Sequence, residues 1–198
     1  SDLDLLVLGV GKQAAPWQAA FYNEFQTLCW DVKFTVGASQ RSVSELARTL
    51  EEDFITATAV VEWRPLLAGA PVQQALIAML TRFRERRPKE FLLYKLQELA
   101  ERRAKAGVSL FLMEPNLKSN PGGLRDVQLL RTMAFVVSGS RNLASLSALD
   151  SFTHHDLSEV NATNDHLLGL RSLLHFHHGR KHDVFQLADQ VLVAKHYG

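Results

Sequence analysis

Two acidic residues stand one position apart near the start of the chain, Asp2 and Asp4 in Ser1-Asp2-Leu3-Asp4-Leu5-Leu6. Successive side chains alternate along a strand, so both carboxylates are expected to project from one face. Two neighbouring carboxylates repel unless a cation joins them. Hard oxygen ligands of this kind suit Mg²⁺, which keeps several waters and takes phosphate oxygens from a bound nucleotide. An isolated pair of this spacing also fits a solvated strand end.

A second constellation lies more than a hundred positions later, where Lys118 precedes Pro121-Gly122-Gly123-Leu124-Arg125-Asp126. Glycines allow close backbone approach to a ligand, and the helix that follows would offer free amides and a positive dipole end. Lys118 and Arg125 add formal charge, so the segment reads as a polyphosphate cradle. It lacks the Walker spacing, which excludes a P-loop. The other reading is a helix–helix connection in which Arg125 and Asp126 pair with neighbouring helices.

These residues need elements to position them. Leu3 to Leu8 is a short apolar run that suits a strand buried on both faces, bounded by Gly9 and Gly11. Pro16 suits a first helical turn, and Trp17, Ala20, Phe21, Phe25, Leu28 and Cys29 recur at helical spacing. Val32-Lys33-Phe34-Thr35-Val36 alternates and is ended by Gly37, which predicts a second strand. Ser42 and Glu45 form a capping-box pattern for a helix to about Glu52. Asp53 would cap the next helix, running through Ala68 to a stop at Gly69. Pro71 and Pro88 start segments of roughly 71–86 and 88–106, the second closed by Gly107. Val108 to Met113 is too short for a helix of its own, and Glu114 to Gly123 reads as a loop. Helices are expected again over Leu124–Val137, Leu143–Leu149, His155–His178 and Val184–Tyr197.

The expected class is therefore α+β and mainly helical. Residues 1–41 read as a partial α/β domain and 42–198 as a helical bundle domain. The chain opens directly in a strand pattern, and two strands do not make a stable sheet. Further strands are accordingly expected upstream of Ser1.

Composition sets the outer limits. The 198 residues carry 22 Lys+Arg against 21 Asp+Glu, a formal charge of +1, so charge predicts no nucleic-acid partner. The 46% apolar content argues against disorder. Cys29 is the only cysteine, which precludes a disulfide framework within the chain and suits a reducing cytoplasm. No run approaches the roughly 20 apolar residues that span a bilayer, so no membrane partner is expected.

Both motifs resemble those of the bacterial uridylyltransferases that modify the nitrogen regulatory protein PII. In that family a Gly-rich turn precedes S-D-[LI]-D-L-L, which Ser1 to Leu6 match, and a later helical domain carries E-P-x-[IL]-K-x-x-P-G-G-L-R-D, which Glu114 to Asp126 match nearly throughout. Trp30-Asp31 with Val36-Gly37, then Ser39 and Arg41, resemble the stretch between. Asp53, Thr56, Ala57, Thr58, Glu62, Arg64 and Leu67 follow a further family pattern, as do His175, Arg180 and Gln190 near the end. The adenylyltransferase of glutamine synthetase carries a related loop and is the nearest competitor.

The resemblance implies the C-terminal part of a nucleotidyltransferase domain followed by its helical companion. It implies transfer of UMP from UTP to a tyrosine hydroxyl of PII. Asp2 and Asp4 would be catalytic and hold Mg²⁺, while Lys118, Gly122, Gly123, Arg125, Ser39 and Arg41 would contact nucleotide. The sequence departs from the family in two places. Thr35 stands where a third carboxylate often lies, and Ala38 stands where many members have histidine. These departures motivate the alternative of a catalytically impaired regulatory or interaction module.

Other signals read as structural. His155-Asp156 and His182-Asp183 resemble an HD hydrolase pair, yet both fall inside the stretch that matches the helical domain. His177 and His178 are adjacent, so on a helix they diverge by about 100°, poor for sharing a metal. Arg82, Arg84, Arg86, Arg87 and Lys89 read as a solvated helix junction, and Phe91, Leu92, Tyr94 and Leu96 as a core stripe.

Overall fold

The computed structural model describes residues 3–11, 16–34, 36–106 and 111–197, and the chain divides into two compact units, 1–88 and 89–198. The class is α+β and mainly helical, as the sequence predicts. Asp2, Thr35, Gly107 and the start of the Val108–Met113 run lie outside the described residues.

In the first unit, β1 (Leu3–Gly9) and β2 (Val36–Ser42) pair in parallel, joined by α1 (Pro16–Asp31). The register runs without interruption from Leu3 opposite Val36 to Gly9 opposite Ser42. Side chains Leu5 to Leu8 of β1 are half-buried rather than enclosed. Helix α1 is tied to β2 by the Tyr22 hydroxyl, which donates to the Ala38 carbonyl at 2.9 Å. Of the six helically spaced apolar residues, only Cys29 is buried.

The second strand is displaced from its predicted position. Helix α1 continues to Asp31 and closes on itself: Val32, Lys33 and Phe34 donate to the carbonyls of Leu28, Trp30 and Cys29, with Lys33 at φ 60°. These bonds take Val32 to Phe34 out of the strand. The ladder instead starts at Val36 and passes through Gly37 to Ser42.

Helices α2 (Val43–Glu52), α3 (Phe54–Val61) and α4 (Ala70–Arg86) complete this unit. The predicted capping box is present, with Glu45 N–H donating to Ser42 Oγ at 3.1 Å and Ser42 N–H to Glu45 Oε2 at 2.7 Å. Asp53 caps α3 by accepting from the amides of Ile55 and Thr56. The expected extension of α3 to Ala68 does not occur. Pro65 lacks a donor and disfavours helical Arg64, so the helix stops at Val61. Gly69 then serves as the N-cap of α4, not as a stop. Leu46 and Leu50 of α2 are buried with Ala57, Val60 and Val61 of α3 and with Leu76, Met79, Leu80 and Phe83 of α4. The Phe54 and Phe83 rings meet edge to face at 6.2 Å. At the helix junction, Arg86 pairs with exposed Glu51 at 3.3 Å and Arg87 lies over the Phe54 ring, consistent with a structural role.

The second unit contains α5 (Pro88–Ala106), α6 (Leu124–Ser138), a 3₁₀ turn (Leu143–Ala148), α7 (His154–His178) and α8 (Leu187–Tyr197). Phe91 is buried in α5, but Leu96 is half exposed, so the expected apolar stripe is shorter than its sequence suggests. One core cluster joins Val127 and Ala134 of α6 to Leu143, Leu146 and Leu157. A second gathers Leu170 and Leu174 of α7 around Leu117, with Phe185 and Val193 against it. The loop before α6 is thereby anchored through its own leucine. Among the described residues, no helix is long and apolar enough to cross a membrane.

Candidate functional site

Paired residues in a parallel ladder place their side chains on one face, and the face alternates along each strand. Asp4 stands opposite Gly37, Leu6 opposite Ser39 and Leu8 opposite Arg41. Asp4, Ser39 and Arg41 therefore share a face of the β1–β2 pair. Asp4 is exposed, faces a residue without a side chain, and makes no ion pair among the described residues. Arg41 is directed toward α2, where its guanidinium donates to Thr49 Oγ1 at 3.3 Å. The expected partner carboxylate, Asp2, lies outside the described residues.

In the second unit, the loop from Glu114 to Gly123 is held by its own polar groups. Asn116 Oδ1 accepts from the amides of Lys118 and Ser119 at 3.0 and 2.8 Å, and Asn120 Oδ1 accepts from the Asn116 amide. Leu117 N–H donates to Asp183 O, and Phe185 N–H to Pro115 O, both at 2.8 Å. Glu114 accepts from the Leu187 amide at the start of α8, and Gln190 donates to the Met113 carbonyl at 2.7 Å. Family motif residues at both ends of this unit are thus joined in one polar lattice.

The two glycines have different causes. Gly122 takes φ 80°, a conformation costly for L side chains, with nothing within 4 Å of an added Cβ. Gly123 is crowded: an added Cβ would lie 2.8 Å from the Leu117 carbonyl oxygen and 2.9 Å from that of Asn120. The amides expected to be free are also occupied. Gly123, Leu124 and Arg125 donate to the carbonyls of Asn120, Leu117 and Lys118 at 2.9 to 3.0 Å, and Gly122 donates to Asp126 Oδ2 at 2.8 Å. A helix N-terminus attracts anions through unpaired amides. Here the loop's own carbonyls take that place.

Any anion attraction therefore rests on side chains. Burial, and then the nearby positive charges of Arg125, Lys181 and Arg171, push the Lys118 ammonium below its ordinary range, against a smaller upward pull from Asp183. Lys118 makes no ion pair among the described residues. Arg125 pairs at 3.4 Å with Glu98, which also accepts from buried Lys95 at 2.5 Å. Asp126 receives Arg102 at 2.8 Å and Arg103 at 3.4 Å, so the structural pairing considered for Arg125 and Asp126 is present. A cleft of about 490 Å³ opens here, lined by Glu98, Arg102 and Lys105 of α5 and by Ser119, Asn120 and Arg125. Its volume falls within the range of small-molecule sites.

Two carboxylates are central to this unit: Asp183, which the sequence offers only as half of an HD-like pair, and Asp189, which it does not mark. Asp183 Oδ1 accepts from Arg171 Nε at 2.6 Å and lies 3.0 Å from His175 Nε2. Burial raises its pKa, but the bonds from Arg171 and His175 outweigh that, leaving a net value below the ordinary carboxylate range. Asp189 is the second, buried against His178 and His182. By contrast His155-Asp156 is structural: Asp156 forms a capping box with Thr153, and exposed His155 lies 3.5 Å from Glu159.

A mainly helical unit built around an E-P-N-L-K-S-N-P-G-G-L-R-D loop defines a class, and the comparisons agree with it. The family model for GlnD PII-uridylyltransferase matches residues 90–198, and the chain belongs to that family. Over all 198 residues it is 33% identical to a bifunctional uridylyltransferase/uridylyl-removing enzyme of Vibrio parahaemolyticus, covering 22% of that protein. A protein of the same name from Phenylobacterium zucineum is 32% identical over 202 residues, with 21% of its length covered. One from Pseudomonas aeruginosa is 31% identical over 198 residues, with 22% covered. The chain thus spans about a fifth of the length of the curated relatives it matches. No solved structure matches it.

Proposed function

We propose that the protein containing this chain transfers UMP from UTP to a tyrosine hydroxyl of PII in the cytoplasm, releasing pyrophosphate. The observation that carries this reading is the continuous likeness across all 198 residues to a relative named as a uridylyltransferase, a likeness that takes in both motifs.

Paired carboxylates are donors of the kind that Mg²⁺ takes. Asp4 is an exposed hard oxygen ligand opposite a glycine. Asp2 and Asp4 would hold the ion, which when bound supplies charge stabilisation toward phosphate oxygens. In the first unit, Ser39 lies on the same face as Asp4 and is suited to orient a nucleotide oxygen, while Arg41 supports that face through α2. In the second unit, Lys118 and its basic neighbours are the groups suited to polyphosphate, with Arg125 held toward the cleft by Glu98. Gly122 and Gly123 act by shaping the turn that presents both side chains.

The test is incorporation of labelled UMP into purified PII by the full-length protein with Mg²⁺. Wild type is expected to label PII, and the double change Asp2→Ala, Asp4→Ala to abolish it. Labelling that survives the double change refutes the assigned site. Nucleotide binding by wild type without labelling would favour the non-catalytic module.

A further inference from the structure

The turn between α7 and α8 gathers three imidazoles around one carboxylate. Asp189, in the first turn of α8, is only 3% exposed. Its Oδ1 lies 2.8 Å from His178 Nε2, and its Oδ2 lies 3.3 Å from His182 Nε2. One ligand atom from each of His177, His178 and Asp189 lies within 4.8 Å of the other two. The His178 and His182 rings are 4.0 Å apart, and those of His177 and His178 5.1 Å.

Adjacent helical residues diverge by about 100°, the sequence argument against shared ligation. The structure nonetheless brings one ligand atom of each ring within reach of Asp189. His177 and His178 are the last two residues of α7, and Gly179 turns the chain at φ 61°. The start of α8 then returns Asp189 to where both rings reach it. His182, within that return, completes the group.

One detail separates this cluster from an ordinary set of ion pairs. His182 Nε2 is buried and makes no hydrogen bond, although it faces the Asp189 carboxylate at 3.3 Å. Its approach is too oblique for an N–H donor. Asp189 is meanwhile oriented by the Gln186 amide, which donates to its Oδ2 at 3.3 Å, the kind of outer contact that fixes a ligating carboxylate.

We propose that His177, His178, His182 and Asp189 form a binding site for a borderline divalent transition-metal ion, with Zn²⁺ the best match to three imidazoles and one carboxylate. Bonds to Zn²⁺ of about 2.0 to 2.2 Å place tetrahedral donors roughly 3.3 Å apart; the donors of His177, His178 and Asp189, within 4.8 Å of one another, and that of His182, 3.3 Å from Asp189, would close to this spacing around the ion. The ion neutralises the buried carboxylate and gives the orphan nitrogen of His182 a partner. It also fastens the end of α7 to the start of α8. Since Leu187 N–H and Gln190 hold Glu114 and Met113, the same fastening steadies the base of the glycine-bearing loop. The site is distinct from the Asp2–Asp4 pair and does not depend on the uridylyltransferase reading.

The test is calorimetric titration of the metal-stripped full chain with ZnCl₂ alone, followed by Co²⁺ absorption spectroscopy. One equivalent is expected to bind, and His178→Ala or His182→Gln to weaken binding at least about tenfold. His154→Ala, an exposed change elsewhere on α7, is expected to leave binding unaltered. Because changes at buried Asp189 could unfold the chain, His177→Ala at the exposed edge serves as the second variant, checked by circular dichroism. A tetrahedral Co²⁺ spectrum that is lost in His178→Ala supports the site. No saturable binding, or equal binding in wild type, His178→Ala and His182→Gln, overturns it.

Discussion

The backbone N–H of Gly122 donates to the carboxylate of Asp126 at 2.8 Å, while the other oxygen of that carboxylate accepts from Arg102 at the same distance. Asp126 thus closes the turn on one side and fixes it to α5 on the other. Arg102 also donates to the Ser119 carbonyl at 3.3 Å, so the same two side chains bracket the loop. The family's Gly-Gly-Leu-Arg-Asp sequence is first a structural device, and its outward charge is carried by Lys118 and Arg125.

The two glycines are expected to respond differently to alanine. Gly123→Ala forces a Cβ to within 2.8 Å of the Leu117 carbonyl, so backbone must move, at a cost of about 1–3 kcal/mol. Gly122→Ala meets no atom within 4 Å and pays chiefly for its positive φ, about 1–2 kcal/mol. Urea unfolding monitored by circular dichroism measures both. An unchanged midpoint for Gly123→Ala would show that the loop is not packed as described.

Leu117 anchors the loop in the cluster formed with Leu170 and Leu174. Leu117→Ala is expected to cost about 2–5 kcal/mol, with amide exchange accelerated in residues 114–123. A loss below about 0.5 kcal/mol would place the leucine outside the core.

Asp183 gives the second unit an acid dependence. Its folded pKa lies below its ordinary value because the Arg171 and His175 bonds outweigh burial. A depressed carboxylate contributes stability that is full above the unfolded pKa and is lost as pH falls through the folded one. Wild-type melting temperature is therefore expected to fall more steeply than that of Asp183→Asn as pH drops from about 5 toward 2. At neutral pH, Asp183→Asn is expected to be the less stable protein, because Arg171 keeps its charge and loses its partner. Parallel pH profiles for the two proteins would contradict this.

Much of the fold was legible where local chemistry decides it. Ser42 with Glu45, Asp53, Pro71 and Pro88 each mark a helix start through a cap or a fixed φ, and each start is present within a residue. The sequence places the second strand too early because Val32 to Val36 has the stronger β propensity, whereas the pairing segment Val-Gly-Ala-Ser-Gln-Arg-Ser has little. What decides is a helix closure at Lys33, a non-glycine residue at positive φ that leaves no mark in the sequence. Gly69 resembles a stop because it follows an apolar run, yet the breaker is Pro65.

The site was legible by residue type and less so by role. The loop motif located Lys118 and Arg125, but spacing alone did not show that the α6 amides bond to the loop's own carbonyls. Asp183 and Asp189 gain their partners from α7 folding back against the residues that follow it. Pairings of that kind depend on tertiary return and have no local signature.

The most direct test of the account is the affinity of the full-length protein for Mg²⁺–UTP, compared between wild type and Lys118→Ala by calorimetry at fixed ionic strength. Loss of one charge-assisted phosphate contact costs about 1.5–3 kcal/mol, so Lys118→Ala is predicted to bind at least about tenfold more weakly while keeping its melting temperature. Equal affinities in a folded variant would contradict the claim that side-chain charge at this loop, rather than its backbone amides, attracts the nucleotide.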